Sequence, residues 1–133
     1  MKLLYIDLFC GAGGTSTGVE KARYKGEQSA KVIACVNHDA NAIASHAANH
    51  PEAMHFTEDI RTLEFSPLVT HTRQMRQQYP DALLVLWASL ECTNFSKAKG
   101  GQPRDADSRT LAEHLFRYIE ALQPDYIQIE NVE

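Results

Sequence analysis

The chain has 133 residues, 44% of them apolar and 23% charged, with a formal net charge of −4. That length holds one domain with its own core, not two. The acid excess and the six histidines make no general case for a nucleic-acid or membrane surface, so any contact with DNA must use local basic residues.

Cys10, Cys35 and Cys92 are odd in number and widely spaced, with no Cys-x-x-Cys pair. Neither a zinc knuckle nor a disulfide framework is indicated, which fits a reducing, intracellular, cytoplasmic setting. The apolar N-terminal run is broken by Asp7 and lacks a small-residue cleavage site, so it is not a signal peptide. No apolar run is long enough to span a membrane.

Leu3 to Phe9 is apolar and aromatic around Asp7, the pattern of a strand buried inside a parallel sheet. It leads into Gly11, Gly13 and Gly14, where the backbone can approach a ligand closely. Thr15, Ser16 and Thr17 can cap the helix that follows, expected from Thr15 to about Tyr24. Strand, glycine loop and helix together place N–H groups and a positive helix end beside a nucleotide-like cofactor. Ser16 stands where a dinucleotide fold wants its third glycine, so the loop is a poor nicotinamide or flavin signature. An ordinary glycine-rich turn is the alternative.

Residues 25–29 form a polar turn, and Ala30 to Val36 a second buried strand. Asn37, His38 and Asp39 follow it, at the ligand-binding edge of an open α/β sheet. An acid there would hold ribose hydroxyls; here that place has Asn37, and Asp39 can instead cap the next helix. Ala40, Ile43, Ala44, Ala47 and Ala48 predict an amphipathic helix over 40–49, ending before Pro51. His46 and His50 are four apart, but with no third ligand in view they are expected at the surface. Met54 to Thr57 is a short edge strand, ending at Glu58, Asp59 and Ile60. Asp59 is either an acceptor for an adenine amine or a solvated turn acid.

A weakly amphipathic helix is predicted from about Pro67 to Gln78, stopped by Pro80. Ala82 to Ala88, the most apolar run, is the central strand of the second half and delivers residues 89–96 to the ligand edge. Residues 96–107 carry Lys97, Lys99 and Arg104 with two glycines and a proline, as a locally basic loop or a solvated linker. Thr110 and Glu113 have capping-box spacing ahead of Leu111, Leu115, Tyr118, Ile119 and Leu122, the clearest helix. Tyr126 to Ile129 is the last strand, with Glu130, Asn131 and Val132 at its end.

Cys92 therefore follows one strand end and Glu130 closes another. A thiol near Lys97 and Lys99 can be partly thiolate, the nucleophilic form. A nucleophile beside a proton-donating carboxyl suits attack on a ring activated by protonation. With these residues placed, the chain resembles the DNA (cytosine-5) methyltransferases. Asp7-Leu8-Phe9-Cys10-Gly11-Ala12-Gly13-Gly14 is similar to the family's cofactor motif, and Asp59-Ile60 to its adenine-binding segment. Cys92-Thr93-Asn94-Phe95-Ser96 resembles the catalytic Pro-Cys-Gln-x-Phe-Ser loop, and Glu130-Asn131-Val132 the Glu-Asn-Val motif. Asp107-Ser108-Arg109 also matches.

The resemblance implies a doubly wound, mainly parallel, Rossmann-like α/β sheet of about five strands that binds S-adenosylmethionine. It implies a cytosine flipped out of double-stranded DNA, in the setting of DNA methylation and restriction–modification. Cys92 would add to C6, Glu130 would hold and protonate N3, and Asn131 would brace the loop. Phe9, Gly11, Gly13, Gly14, Asn37, His38, Asp59 and Ile60 would line the cofactor, and Ser96, Lys97, Lys99 and Arg104 would face DNA.

Three departures stand out. Glu91 replaces the proline before the cysteine, and its charge opposes a thiolate. Asn37 replaces an acid. The sequence stops at Glu133, before the family's later arginine motif, target-recognition region and closing helix. Residues 1–133 are thus expected to be the N-terminal part of the catalytic domain, inactive alone, completed by a C-terminal half or partner subunit. An exposed apolar surface and self-association would follow. The competing readings are a degenerate cofactor-binding module without chemistry and, more weakly, a nicotinamide oxidoreductase.

Overall fold

Leu3–Leu8 (β1) is the strand on which the sheet is built. The structure, a computed structural model, describes residues 1–9, 14–90 and 107–131, with backbone only at 90, 107–112 and 131. The chain continues as Gly14–Lys21 (α1), Arg23–Tyr24 (β2), Glu27–Gln28 (β3), Ala30–Asn37 (β4), Ala40–Asn49 (α2) and Met54–Thr57 (β5). Phe65–Gln78 (α3), Leu83–Leu90 (β6), Asp107–Leu122 (α4) and Tyr126–Asn131 (β7) complete it.

Five strands form one sheet in the order β5-β4-β1-β6-β7, and every neighbouring pair is parallel. This is the doubly wound α/β sheet expected from the alternation of apolar runs and helical patterns. Chain order runs outward from β1 in both directions, so the topological switch lies between β1 and β6.

Helices cover both faces. Leu68 of α3 and Leu115, Tyr118 and Leu122 of α4 join Leu4, Ile6, Leu8, Ile33 and Leu86 in the larger core. Ile43 of α2 packs with Val32, Cys35 and Ala53 on the other side, with Val19 of α1 against them. Val32 and Cys35 are an odd number of residues apart, which on a regular strand means opposite faces. A register shift opposite Tyr5 and Ile6 inserts the extra residue, and this bulge turns Cys35 toward α2.

Several elements differ from the sequence expectation. The first helix stops at Lys21 instead of Tyr24, because residues 23–28 pair as a small hairpin. Lys25 and Gly26 sit at its turn with φ of 53° and 81°, the primed geometry that matches strand twist. The fourth helix begins at Asp107, so Thr110 lies inside it and does not cap it. The apolar stripe of α2 is also rotated: Ile43, His46 and His50 are buried, while Ala40, Ala44 and Ala48 are exposed. The histidines expected at the surface are thus interior, for reasons given below. On the outer strand β7, Tyr126, Ile127 and Ile129 are exposed, the apolar surface the sequence led us to expect. No helix among the described residues is long and apolar enough to cross a membrane.

One contact ties α4 to the loop after β5. Tyr118 is fully buried, and its hydroxyl donates to the Ile60 carbonyl at 2.7 Å. Arg117 donates to the next carbonyl, that of Arg61, at 2.9 Å. Tyr118→Phe removes the buried bond while keeping the ring, and should cost about 1–2 kcal/mol. Urea unfolding checks this; an unchanged midpoint would show that the clamp does not hold the loop.

Candidate functional site

Parallel pairing brings the carboxyl ends of all five strands to one edge. Leu8 of β1 pairs with Val36 of β4, and Asn37 of β4 with Thr57 of β5. Phe9, Asn37, His38, Asp59 and Ile60 therefore follow three adjacent strand ends. On the other half, Ser89 and Leu90 of β6 pair with Glu130 and Asn131 of β7. Cys92 comes two residues after Leu90 in sequence.

Phe9 turns the chain out of β1. Its φ is 62°, a left-handed conformation costly for a bulky side chain. Its N–H donates to the Val36 carbonyl at 2.8 Å, continuing the β1–β4 ladder, and its half-buried ring rests on the larger core. Gly14 opens α1 without positive φ, and a Cβ added there would meet nothing within 4 Å among the described residues.

Asn37 is half-buried, and its Oδ1 accepts from the Asp39 N–H at 2.8 Å. His38 is exposed. Asp39 caps α2 by accepting from the Asn41 N–H at 2.9 Å. Asp59 is bound by Arg61, whose backbone N–H donates to Oδ1 at 2.8 Å and whose Nη2 donates to Oδ2 at 2.8 Å. That pairing, chiefly the side-chain hydrogen bond, lowers the Asp59 carboxyl to about 2 and keeps it an ionised acceptor. Ile60 is buried in the larger core. Glu130 is exposed on β7. Gly11, Gly13, Cys92, Ser96, Lys97, Lys99 and Arg104, and the Asn131 side chain, lie outside the described residues.

A polar line that the sequence reading missed runs beneath this edge. Asp7 is 2% exposed in the middle of the sheet. Ser16 of α1 donates to its Oδ2 at 3.0 Å, which ties the strand before the glycine loop to the helix after it. Its Oδ1 has no hydrogen-bond partner among the described residues. Burial raises the Asp7 carboxyl to about 6, against the opposing pull of the Ser16 bond. Behind Ser16, its Oγ lies 2.7 Å from His46 Nε2. Ser16 has one proton and gives it to the carboxylate, so His46 must donate through Nε2–H. Burial, then the neighbouring His50 and His55, lower His46 to about 4, so the ring is neutral at pH 7. His50 sits alongside with ring centroids 4.7 Å apart, and its Nε2 is 3.2 Å from the Thr17 hydroxyl. These partners are what allow histidines on the inner face of α2: a buried polar group is tolerated when hydrogen-bonded. Nothing in the local pattern signals it, since Ser16 and His46 are 30 residues apart.

Comparison with known proteins gives one consistent result. The family model "C-5 cytosine-specific DNA methylase" matches residues 3–133. The type II methyltransferase M.AgeI of Thalassovita gelatinovora is 32% identical over 128 residues, covering 96% of this chain and 27% of that protein. M1.HphI of Haemophilus parahaemolyticus is 29% identical over 134 residues, covering 99% of this chain and 33% of that protein. A solved structure described as a prophage-encoded DNA modification methyltransferase (E. coli) superposes with a TM-score of 0.68 at 28% identity. It covers 98% of this chain and 32% of its own. The chain thus spans about a third or less of the relatives it matches.

Asp7 and His46 titrate with opposite consequences for stability. Between pH 6.5 and about 4 an unfolded His46 takes up a proton that the folded one refuses, so acidification across that window destabilises. The folded Asp7 takes up its proton at about 6 and the unfolded one at 3.8, so acidification across that window stabilises. The two slopes offset each other in the native protein. Asp7→Asn removes only the second, so in metal-free buffer its melting temperature should fall more steeply from pH 6.5 to 4 than the parent's. Equal slopes would refute the opposing pair.

Proposed function

The chain belongs to the C-5 cytosine-specific DNA methylase family, and from that premise we propose that it is the cofactor-binding and catalytic part of an enzyme that methylates C5 of cytosine in DNA. The observation that carries the proposal is the strand register. β6, which runs up to the Cys92 segment, and β7, which ends at Glu130 and Asn131, are adjacent and parallel. β1, β4 and β5 present Phe9, Asn37, His38 and Asp59 on the same edge, across the switch point. One half can hold a methyl donor and the other a base, with neighbouring strands only about 4.8 Å apart.

The residues of the first half suit S-adenosylmethionine. Gly14 at the start of α1 has no described atom within 4 Å of where a Cβ would sit, Asp59 is an ionised acceptor for an adenine amine, and Asn37 and His38 offer hydrogen-bonding groups at the ribose position. Phe9 contributes an aromatic surface, and Gly11 and Gly13 the loop N–H groups. Ile60 shapes the floor from the core side. When bound, this cofactor supplies an electrophilic methyl group.

In the second half, the Cys92 thiolate attacks C6 of the flipped cytosine while the Glu130 carboxyl gives its proton to N3. The ring electrons shift to C5, which becomes nucleophilic toward the methyl group that a bound S-adenosylmethionine would supply, its sulfonium–methyl bond breaking to leave S-adenosylhomocysteine. Loss of the C5 proton to a base breaks the C6–S bond, and the N3 proton returns to Glu130. Asn131 braces the Cys92 loop, and Ser96, Lys97, Lys99 and Arg104 meet phosphate, the sequence-independent share of DNA affinity. Residues 1–133 are, in this reading, the N-terminal part of the catalytic domain. Sequence recognition comes from a C-terminal half or partner subunit seated against the exposed Tyr126, Ile127 and Ile129 of β7. The piece by itself is inactive.

A degenerate cofactor-binding module is the second reading, favoured by Glu91, whose charge beside Cys92 opposes the thiolate. An oligonucleotide carrying 5-fluorocytosine decides between them, because it blocks loss of the C5 substituent and traps the adduct. In the full-length form we expect a covalent complex that Cys92→Ala abolishes and that Glu130→Gln slows by about 100-fold or more. Glu91→Gln should speed adduct formation. S-adenosylhomocysteine binding with no adduct in the parent would leave the module reading standing.

A further inference from the structure

Neither half-site uses Cys35, His46 and His55, yet the fold brings them together. One ligand atom from each lies within 4.8 Å of the others. Cys35 Sγ is 3.3 Å from His46 Nδ1, and His55 Nε2 is 2.9 Å from that same nitrogen. Cys35 and His46 are fully buried and His55 is half-buried. A tetrahedral zinc ion, with bonds of about 2.3 Å to sulfur and about 2.0 Å to nitrogen, holds its ligand atoms about 3.3–3.6 Å apart. The two nearest pairs are already within a few tenths of an ångström of that.

The backbone explains the convergence. Cys35 and His55 are direct register partners on the adjacent parallel strands β4 and β5. His46 comes from α2, the helix that connects those two strands. The bulge in β4 sets Cys35 on the α2 face. The orientation of His46 is fixed from behind: Nε2–H donates to Ser16 Oγ, and Ser16 donates to Asp7. Nδ1 is thereby left as an acceptor whose lone pair faces Cys35 Sγ and His55 Nε2. A carboxylate acting through a hydroxyl on the remote ring nitrogen is the kind of outer support that metal-ligating histidines have.

We infer that Cys35, His46 and His55 form a structural site for a zinc-class divalent cation, with water as fourth ligand on the half-exposed His55 side. On binding, the Cys35 thiol releases its proton to solvent, and Sγ, His46 Nδ1 and His55 Nε2 each donate a lone pair. His55 then carries its proton on Nδ1. Thiolate with imidazole selects zinc over magnesium or calcium, which want oxygen ligands. The ion clips one strand–helix–strand unit, two residues upstream of Asn37 and of Thr57, and so stiffens one flank of the carboxyl edge.

The chain, purified under reducing conditions, should retain one equivalent of zinc after dialysis, measured by elemental mass spectrometry. Cobalt substitution should give a thiolate-to-metal charge-transfer band and tetrahedral d–d bands. Cys35→Ser and His55→Gln should lose both, Cys92→Ser should keep both, and Ser16→Ala should weaken zinc binding about 10–100-fold. If Cys35→Ser does not fold, His55→Gln, at the half-exposed ligand, carries the test. Zinc should raise the melting temperature of the parent and not of the ligand variants. A folded parent without stoichiometric zinc or the charge-transfer band overturns the site, as does a band that survives His55→Gln.

Discussion

Everything on the functional edge depends on β1 being paired in parallel on both sides. Its residues register with β4 from Leu3 to Leu8 and with β6 over the same six positions. A strand so placed is covered on both faces: Leu4, Ile6 and Leu8 are fully buried in the larger core on one, and Tyr5 packs against the smaller cluster on the other, where Asp7 is also buried. Because both neighbours run the same way, the ends of the first half and the ends of the second half cannot be separated. An antiparallel pairing at either side would send one set of candidate residues to the opposite end of the sheet.

Against that apolar background Asp7 is an exception that needs a reason. A buried carboxylate is costly unless its charge is compensated. Among the described residues the compensation is one Ser16 bond, with His46 behind it. The cost is met locally and yields geometry: β1 and α1 are tied across residues 7 and 16, and the His46 tautomer is set. The same chain of bonds links β1 and α1 to the β4–β5 flank. The left-handed Phe9 is a second strained feature at the same bend. Strain and a buried charge within three residues of each other mark the point where the chain leaves the core for the edge.

Much of this was legible in the sequence. Long apolar runs fixed β1, β4 and β6 within a residue or two, because parallel strands must be apolar throughout. The carboxyl-edge placement of Asn37, Asp59 and Glu130 followed from topology rules without any contact being known. The Asp39 cap was one of two readings open for that residue, and local hydrogen bonding decided it. What failed was non-local. The hairpin at 23–28 turns on a lysine in a left-handed conformation, which composition does not announce. The face of α2 rotated because His46 finds partners on three other elements, and a helical wheel counts histidine as polar wherever its partners are. The cluster with Cys35 and His55 needs a strand register and a one-residue bulge before its members share a face. The expected meeting of a thiol and a carboxyl rested on two strand ends and the reaction assigned to them on resemblance; Cys92 lies outside the described residues.

The departures from the family pattern fall on the two halves unequally. On the cofactor side, Asn37 loses a charge but keeps donor and acceptor capacity, and its Oδ1 is engaged by the Asp39 N–H. Asp59 supplies the ionised acceptor on the neighbouring strand end, held so by Arg61. Recognition of a hydroxyl or an amine survives such an exchange, since a neutral amide still satisfies the partner. On the proposed catalytic side, Glu91 adds a negative charge one residue before the cysteine that the proposed reaction needs as an anion. That effect grows as water is excluded, because Coulomb repulsion scales inversely with the local dielectric. The proposed chemistry therefore calls for positive charge to offset it, and the basic residues that follow Cys92 in sequence are Lys97, Lys99 and Arg104. Those residues also serve as the proposed phosphate contacts, so binding of DNA would draw them away from the thiol unless the phosphates arrive with further cations. In the proposed reading, the part that recognises DNA is then needed for electrostatic balance at the nucleophile as well as for specificity.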